Sequence, residues 1–70
     1  MKELFWVSKD NEFVCCQGVE QETETHIKLW NNQSPIPKAC IDNENKTFYG
    51  KHYFSNEKLA VNYQESVIAF

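Results

Sequence analysis

Three cysteines and two histidines are the residues best suited to chemistry, either as zinc ligands or as a nucleophile with its base. They are Cys15, Cys16, Cys40, His26 and His52. Structural zinc sites usually place ligand pairs on a turn, so that both side chains reach one ion. Cys15 and Cys16 are instead adjacent in a predicted strand, where successive side chains point to opposite faces. We therefore expect no metal site and interpret the cysteines as buried thiols that act as small hydrophobic residues.

The usual sequence signals of catalysis are missing. A cysteine with a histidine is the only nucleophile–base combination, and no nucleophile elbow surrounds a serine. The ten carboxylates are scattered over turns and predicted solvent faces, and the two glycines, Gly18 and Gly50, form no phosphate-binding loop. A chain of 70 residues also leaves little wall for a deep pocket. We predict that the protein is not an enzyme, with no catalytic residues and no cofactor.

Aromatic residues alternate with a lysine in one predicted strand. Tyr49, Lys51 and Tyr53 share a face at period two, and Trp30 is a candidate neighbour. Such a stripe can stack the bases of a single-stranded nucleic acid. Packing of aromatic side chains across neighbouring strands explains the same pattern. The four residues are therefore candidate binding residues, with a protein or a single strand as the ligand.

Three glutamates alternate with polar residues in a second stretch. Glu20, Glu22 and Glu24 project from one face if the stretch is a strand. Runs of charge usually serve solubility. The same strip could instead steer a basic partner protein towards the chain.

Charge and cysteine content limit the possible partners and the compartment. All seven basic residues are lysines and the formal net charge is −3, so binding to duplex DNA is disfavoured. The absence of arginine is also typical of coding bias in an AT-rich genome, which suggests a bacterium or its phage. An odd number of cysteines without a secretory signal favours a reducing, cytoplasmic location. The sequence also allows a disulfide between Cys40 and either Cys15 or Cys16.

The spacing of apolar residues predicts five strands in a single domain that spans 1–70. The predicted strands are 3–8, 12–20, 23–30, 38–41 and 47–54. Polar residues at 9–11 form the turn of a hairpin between the first two strands. Two prolines interrupt regular structure across 31–37.

A helix follows the last strand. Ser55 is the expected N-cap, and Phe54 and Leu59 match a hydrophobic staple around it. Apolar residues at helical spacing predict a helix from 56 to about 66. The tail, 67–70, could extend this helix or form a last short strand.

The first strand is apolar on both faces. Leu4 and Trp6 lie on one side, and Phe5 and Val7 lie on the other. One short helix covers a single face of a sheet, so the other face needs a curled sheet or a second copy of the chain. The predicted fold is α+β, a mostly antiparallel sheet of four or five strands with one C-terminal helix. The alternative is an SH3-like or OB-like small β-roll with an appended helix.

These observations favour binding over catalysis. We expect a small cytoplasmic protein–protein interaction module, such as a phage or mobile-element inhibitor or accessory protein that occludes a surface. Binding of single-stranded nucleic acid is the alternative, and a structural homo-oligomer is the third. The partner is expected to be another protein or a second copy as a homodimer, and no membrane partner is expected because no apolar run is long enough to span a bilayer.

Overall fold

A computed structural model describes residues 2–8, 13–30 and 34–68, without the side chain of Ile68. It contains β1 (Glu3–Ser8), β2 (Val14–Glu22), β3 (His26–Leu29), β4 (Ile36–Pro37), a 3-10 helix (Lys38–Cys40), β5 (Lys51–Phe54) and α1 (Glu57–Ile68). All strand pairs of the five-stranded sheet are antiparallel. The predicted α+β class, with one C-terminal helix, is thereby confirmed. The predicted turn at 9–11 lies outside the described residues.

The sheet curls into a half-barrel. Its strand order is β4-β3-β2-β1-β5, so β4 and β5 form the two edges. After β4 the chain turns through the 3-10 helix, and Ile41 then makes a parallel bridge to Tyr53 of β5. The Asp42 N–H adds a hydrogen bond of 2.9 Å to the Tyr53 carbonyl oxygen. The segment that follows one edge strand therefore closes against the other edge.

The alternation in β1 divides its apolar side chains between two cores, as its pattern predicts. The inner core, inside the curl, contains Leu4, Ile27, Leu29, Ile36 and Tyr53. The outer core, beneath α1, contains Phe5, Val7, Phe54 and Ala60. Each large side chain buried in this way stabilises the fold by about 1.5–3 kcal/mol relative to its exposed state. The curl covers one face of β1 and the helix covers the other.

The segment between β3 and β5 differs from the prediction. The predicted fourth strand, 38–41, is wrong, because Lys38–Cys40 form a 3-10 helix and only Ile41 makes a bridge. The strand at this edge is Ile36–Pro37, within the segment predicted to be irregular. Buried Ile36 pairs with Ile27, and an edge strand tolerates a proline that lacks an N–H. Strand β3 is also shorter than predicted, because Thr23 forms a turn in which its Oγ1 accepts the N–H of His26 at 3.0 Å.

The predicted strand 47–54 is interrupted by a tight hairpin. Phe48 and Lys51 exchange two backbone hydrogen bonds of 3.0 and 3.2 Å. Between them, Tyr49 has φ 52° and Gly50 has φ 74°. Two consecutive positive φ values in a two-residue loop are typical of a type I′ turn. Regular β5 therefore begins only at Lys51.

The predicted helix is confirmed, and it continues through Val67 to Ile68. Its N-cap is Asn56 rather than Ser55, because Asn56 Oδ1 accepts the Leu59 N–H at 2.9 Å. This shift places Ala60 in the outer core and leaves Leu59 41% exposed. The predicted Phe54–Leu59 staple is therefore wrong. No helix in the described part of the chain has the length and apolar character required to cross a membrane.

Candidate functional site

Trp30 packs against the backbone of β2 at the surface. It directly follows β3, and its N–H donates to the Gly18 carbonyl oxygen at 3.0 Å. Its indole lies against the same glycine, since a Cβ added to Gly18 would come 3.1 Å from Trp30 Cδ1. Gly18 pairs with Glu3, next to Leu4 of the inner core, so this contact lies on the outer face of the sheet. The ring is nevertheless 54% exposed.

A groove runs along the same outer face, over the residues of β3 that precede Trp30. His26 and Lys28 alternate with buried Ile27 and Leu29, so they point away from the inner core. The groove has a volume of about 310 Å³. It is lined by Gln21, Thr23, His26, Lys28 and Pro35. We call these five residues together with Trp30 the β3 surface.

The β3 surface is open because α1 packs elsewhere. The outer core beneath the helix consists of side chains from β1, β5 and the helix itself, with Val14 at the start of β2. Cys16, two residues further along β2, is already exposed. The helix therefore leaves the outer face of β3 and the end of β2 uncovered.

A β-bulge changes the predicted position of the glutamates. Val19 pairs with Leu29 and Gln21 pairs with Lys28, so Glu20 is an extra residue on β2. The Glu20 carboxylate lies 3.4 Å from Lys28 Nζ, on the outer face. Beyond the bulge, Glu22 is in register with Ile27 of the inner core.

The predicted single face for the three glutamates is therefore wrong. The Glu22 carboxylate contacts Lys38 Nζ at 2.7 Å, and this hydrogen bond, together with the lysine's charge, lowers the pKa of Glu22. The Glu22–Lys38 pair connects β2 to the 3-10 helix. Glu24 lies in the exposed bend between β2 and β3. Only Glu20 and Glu24 are thus left beside the β3 surface.

The predicted stripe on the fifth strand is not a surface. Tyr53 is 2% exposed in the inner core, and burial raises the pKa of its phenol. Tyr49 is 77% exposed in the type I′ turn, with its ring edge-on to Phe48 at a centroid distance of 4.6 Å. Lys51 Nζ lies 5.3 Å from the centroid of the Trp6 ring, a cation–π contact. Tyr53 and Lys51 both pack against Trp6 of the neighbouring strand β1, as the other interpretation of this pattern expects.

Trp30 and Tyr49 lie at opposite ends of β1. Trp30 contacts Gly18, whose partner is Glu3, whereas Tyr49 adjoins Lys51, whose partner is Ser8. Five residues of strand span about 17 Å. The structure therefore separates the predicted aromatic residues instead of bringing them together.

The cysteines and histidines do not gather at one place in the described part of the chain. Cys15 and Cys16 are exposed free thiols, which makes the prediction of burial wrong for both. His26 Nδ1 lies 2.8 Å from Thr25 Oγ1 at the surface. His52 Nε2 lies 3.2 Å from the Tyr63 hydroxyl, under α1. No three metal-ligating side chains come together within residues 2–8, 13–30 and 34–68.

None of the five groove residues is among the binding residues that the sequence predicts. Gln21 lies beyond the predicted end of the second strand, although β2 continues to Glu22. Thr23, His26 and Lys28 lie within the predicted third strand, and Pro35 lies in the segment predicted to be irregular. A threonine beside a polar bend is a turn signal that marks the true start of β3.

Comparisons with family models, with curated proteins and with solved structures give no match to this chain. The contacts and exposure of the described residues are therefore the basis for a function.

Proposed function

We propose that the protein is a protein-binding module that acts by covering a surface of its partner, and that the β3 surface is its contact face. The observation that carries this proposal is the combination of exposure and contact with the Gly18 backbone at Trp30. Tryptophan is among the residues that most often dominate binding energy at interfaces. An anchor that already packs against its own protein has less side-chain entropy to lose when it binds.

The groove beside Trp30 complements this anchor. Its rim offers the amide of Gln21 and the ring of His26, and Pro35 adds an apolar wall. An interface with an aromatic anchor and a polar rim is the usual arrangement for protein partners. A side chain of the partner would fill the groove while Trp30 inserts into the partner.

The charge of the chain favours a basic partner. Glu20 pairs with Lys28, and the exposed carboxylate of Glu24 lies in the bend between β2 and β3. The formal net charge of the chain is −3. These charges would act on the rate of association more than on the lifetime of the complex. A cytoplasmic inhibitor or accessory protein of a phage or mobile element is the setting we propose, since the chain is short and has no arginine.

Affinity capture with matched variants tests this proposal. Tagged wild-type protein, Trp30→Ala and Phe13→Ala would each be incubated with a lysate of the cells that make the protein. Phe13 is 70% exposed but precedes the start of β2, so it controls for the loss of an exposed aromatic ring. We expect the wild-type and Phe13→Ala proteins to retain the same partner and Trp30→Ala to lose it. Equal retention by all three would contradict the assignment of the β3 surface.

Two other functions stay predictions. Binding of single-stranded nucleic acid would depend on Tyr49 and Lys51 alone, because the Tyr53 ring is buried. A homo-oligomer is the function suggested by a first strand that is apolar on both faces, and both faces of β1 are covered within one chain. Neither function gains a supporting contact among the described residues.

A further inference from the structure

A second cleft lies between α1 and the segment 42–45, apart from the β3 surface. It has a volume of about 460 Å³. Hydrogen bonds join this segment to Ser55, which lies just before the helix, and stabilise a turn within the segment itself. The Ser55 N–H and hydroxyl donate to the Asp42 carboxylate at 2.9 and 2.7 Å, and the Asn45 N–H donates to Asn43 Oδ1 at 3.0 Å. We call it the α1 cleft.

The floor of the α1 cleft is apolar. It is formed by Phe54, Leu59 and Tyr63. Leu59 is 41% exposed, which makes it one of the few large hydrophobic side chains at the surface of the described residues. A floor of this kind can cover the aliphatic part of an incoming side chain.

The rim of the α1 cleft is acidic and rich in amides. The carboxylates of Asp42 and Glu44 line it together with three asparagine side chains, and none of its described lining residues is basic. Asp42 already accepts two hydrogen bonds from Ser55, but a carboxylate can accept about four. The rim therefore has the charge and the free acceptors for a cation.

We propose that the α1 cleft binds an arginine side chain of a partner polypeptide. The aliphatic stem of the arginine would lie on Leu59 and Phe54. The planar guanidinium would lie beside Tyr63 and donate hydrogen bonds to the carboxylates of the rim. This contact is independent of Trp30, so it would give the protein a second interaction surface.

Titration with peptides, followed by NMR of the ¹⁵N-labelled full chain, tests this proposal. The probe is acetyl-Gly-Leu-Arg-Leu-Gly-amide, and its control has glutamate in place of arginine. We expect saturable shifts of the backbone amides of 43–45 and 59–62 with the arginine peptide only. Absence of saturable shifts, or equal shifts with the glutamate peptide, would overturn the proposal.

Matched variants locate the site. Glu44→Gln removes a carboxylate from the rim, and Glu65→Gln removes the same charge from the exposed helix surface outside the cleft. We expect about threefold weaker binding for Glu44→Gln, a loss typical of an exposed ion pair, and no change for Glu65→Gln. Leu59→Ala should also weaken binding, whereas Trp30→Ala should leave it unchanged. Equal weakening by the two glutamate variants would show a general charge effect and overturn the proposal, while the capture result for Trp30→Ala would stand.

Discussion

Tyr53 contributes its ring to the inner core and its backbone carbonyl to the contact at the edge of the sheet. Its ring lies 6.0 Å from that of Trp6 and 6.5 Å from that of Phe48, measured between centroids. Its backbone carbonyl accepts the hydrogen bond from Asp42 that closes the curl. Because the ring is buried, the charged phenolate is disfavoured in the folded state, and the pKa of Tyr53 is raised above its usual value of 10.0.

This shift predicts a loss of stability in alkaline solution. The folded-state pKa of Tyr53 is higher than the unfolded-state pKa, so the full stability is present below pH 10.0 and declines as the pH rises from there through the folded-state pKa. Urea unfolding at pH 8 and above pH 10 would measure the decline. We expect a smaller decline for Tyr53→Phe, which has no ionisable group at this position. An equal decline in both proteins would contradict the burial of this phenol.

The cysteines give a second prediction at the residue scale. Cys15 and Cys16 are exposed, whereas Cys40 is half-buried at the end of the 3-10 helix. We expect a thiol reagent such as 5,5′-dithiobis(2-nitrobenzoate) to label two thiols quickly and a third slowly. The double variant Cys15→Ser/Cys16→Ser should keep only the slow reaction. A single fast thiol in the native wild-type protein would show that one of the pair is covered.

The alternation of residue types predicts the face on which a side chain lies better than it predicts whether that side chain is buried. The period of two in β1 correctly divides Leu4 from Phe5 between two cores. The same reasoning fails for Cys16, because α1 covers the outer face of β2 only as far as Val14. It fails for Cys15 as well, which pairs with Trp6 on the inner face and is nevertheless exposed. The exposure of Cys16 depends on where α1 packs, and the pattern of residues within β2 does not predict this.

The elements of the fold are held in place by turns that the apolar pattern does not reveal. The Tyr49–Gly50 turn interrupts a run of residues with strand preference, and the bulge at Glu20 reverses the faces of the residues beyond it. Tyrosine seldom adopts a positive φ, so a Tyr-Gly pair gives a weaker hairpin signal than Asn-Gly. Strand β1, by contrast, has the predicted bounds, because its run is uninterrupted from Glu3 to Ser8.

The type I′ turn makes a prediction about Gly50. Its φ of 74° is strained for any residue with a Cβ, yet an added Cβ would find no atom within 4 Å. Gly50→Ala should therefore lower the free energy of unfolding by roughly 1–2 kcal/mol through backbone strain alone. Chemical denaturation measures this loss. Gly50→Asn should lose less, because asparagine tolerates left-handed backbone, and an undiminished stability of Gly50→Ala would contradict the turn.

At the scale of the whole molecule, the curled sheet buries the face of β1 that a second copy of the chain would otherwise cover. The apolar faces of β1 predicted either a rolled sheet or a dimer, and the sequence could not decide between them. The curl is completed by a non-local contact, the bridge from Ile41 to Tyr53, which joins the segment after β4 to the β5 edge. The β4 edge is only two residues long and ends in Pro37, which limits pairing with another strand.

This architecture predicts that the isolated protein is a monomer. Both faces of β1 are buried within one chain, and the β5 edge is occupied at Tyr53 by the backbone of Ile41 and Asp42. Light scattering coupled to size exclusion should give a mass near 8.3 kDa over a wide range of concentration. A mass of about twice that value would show that an exposed surface pairs two copies.

The central claim is that Trp30 and its groove contact a partner protein. Site-specific photo-crosslinking in the cells that make the protein tests it most directly, with p-benzoylphenylalanine in place of Trp30 or, as a control, in place of Phe13. Both replacements keep an exposed aromatic ring at its position. We predict one discrete crosslinked protein from position 30 and none from position 13. Crosslinks from position 13 alone, or from neither position, would contradict the account.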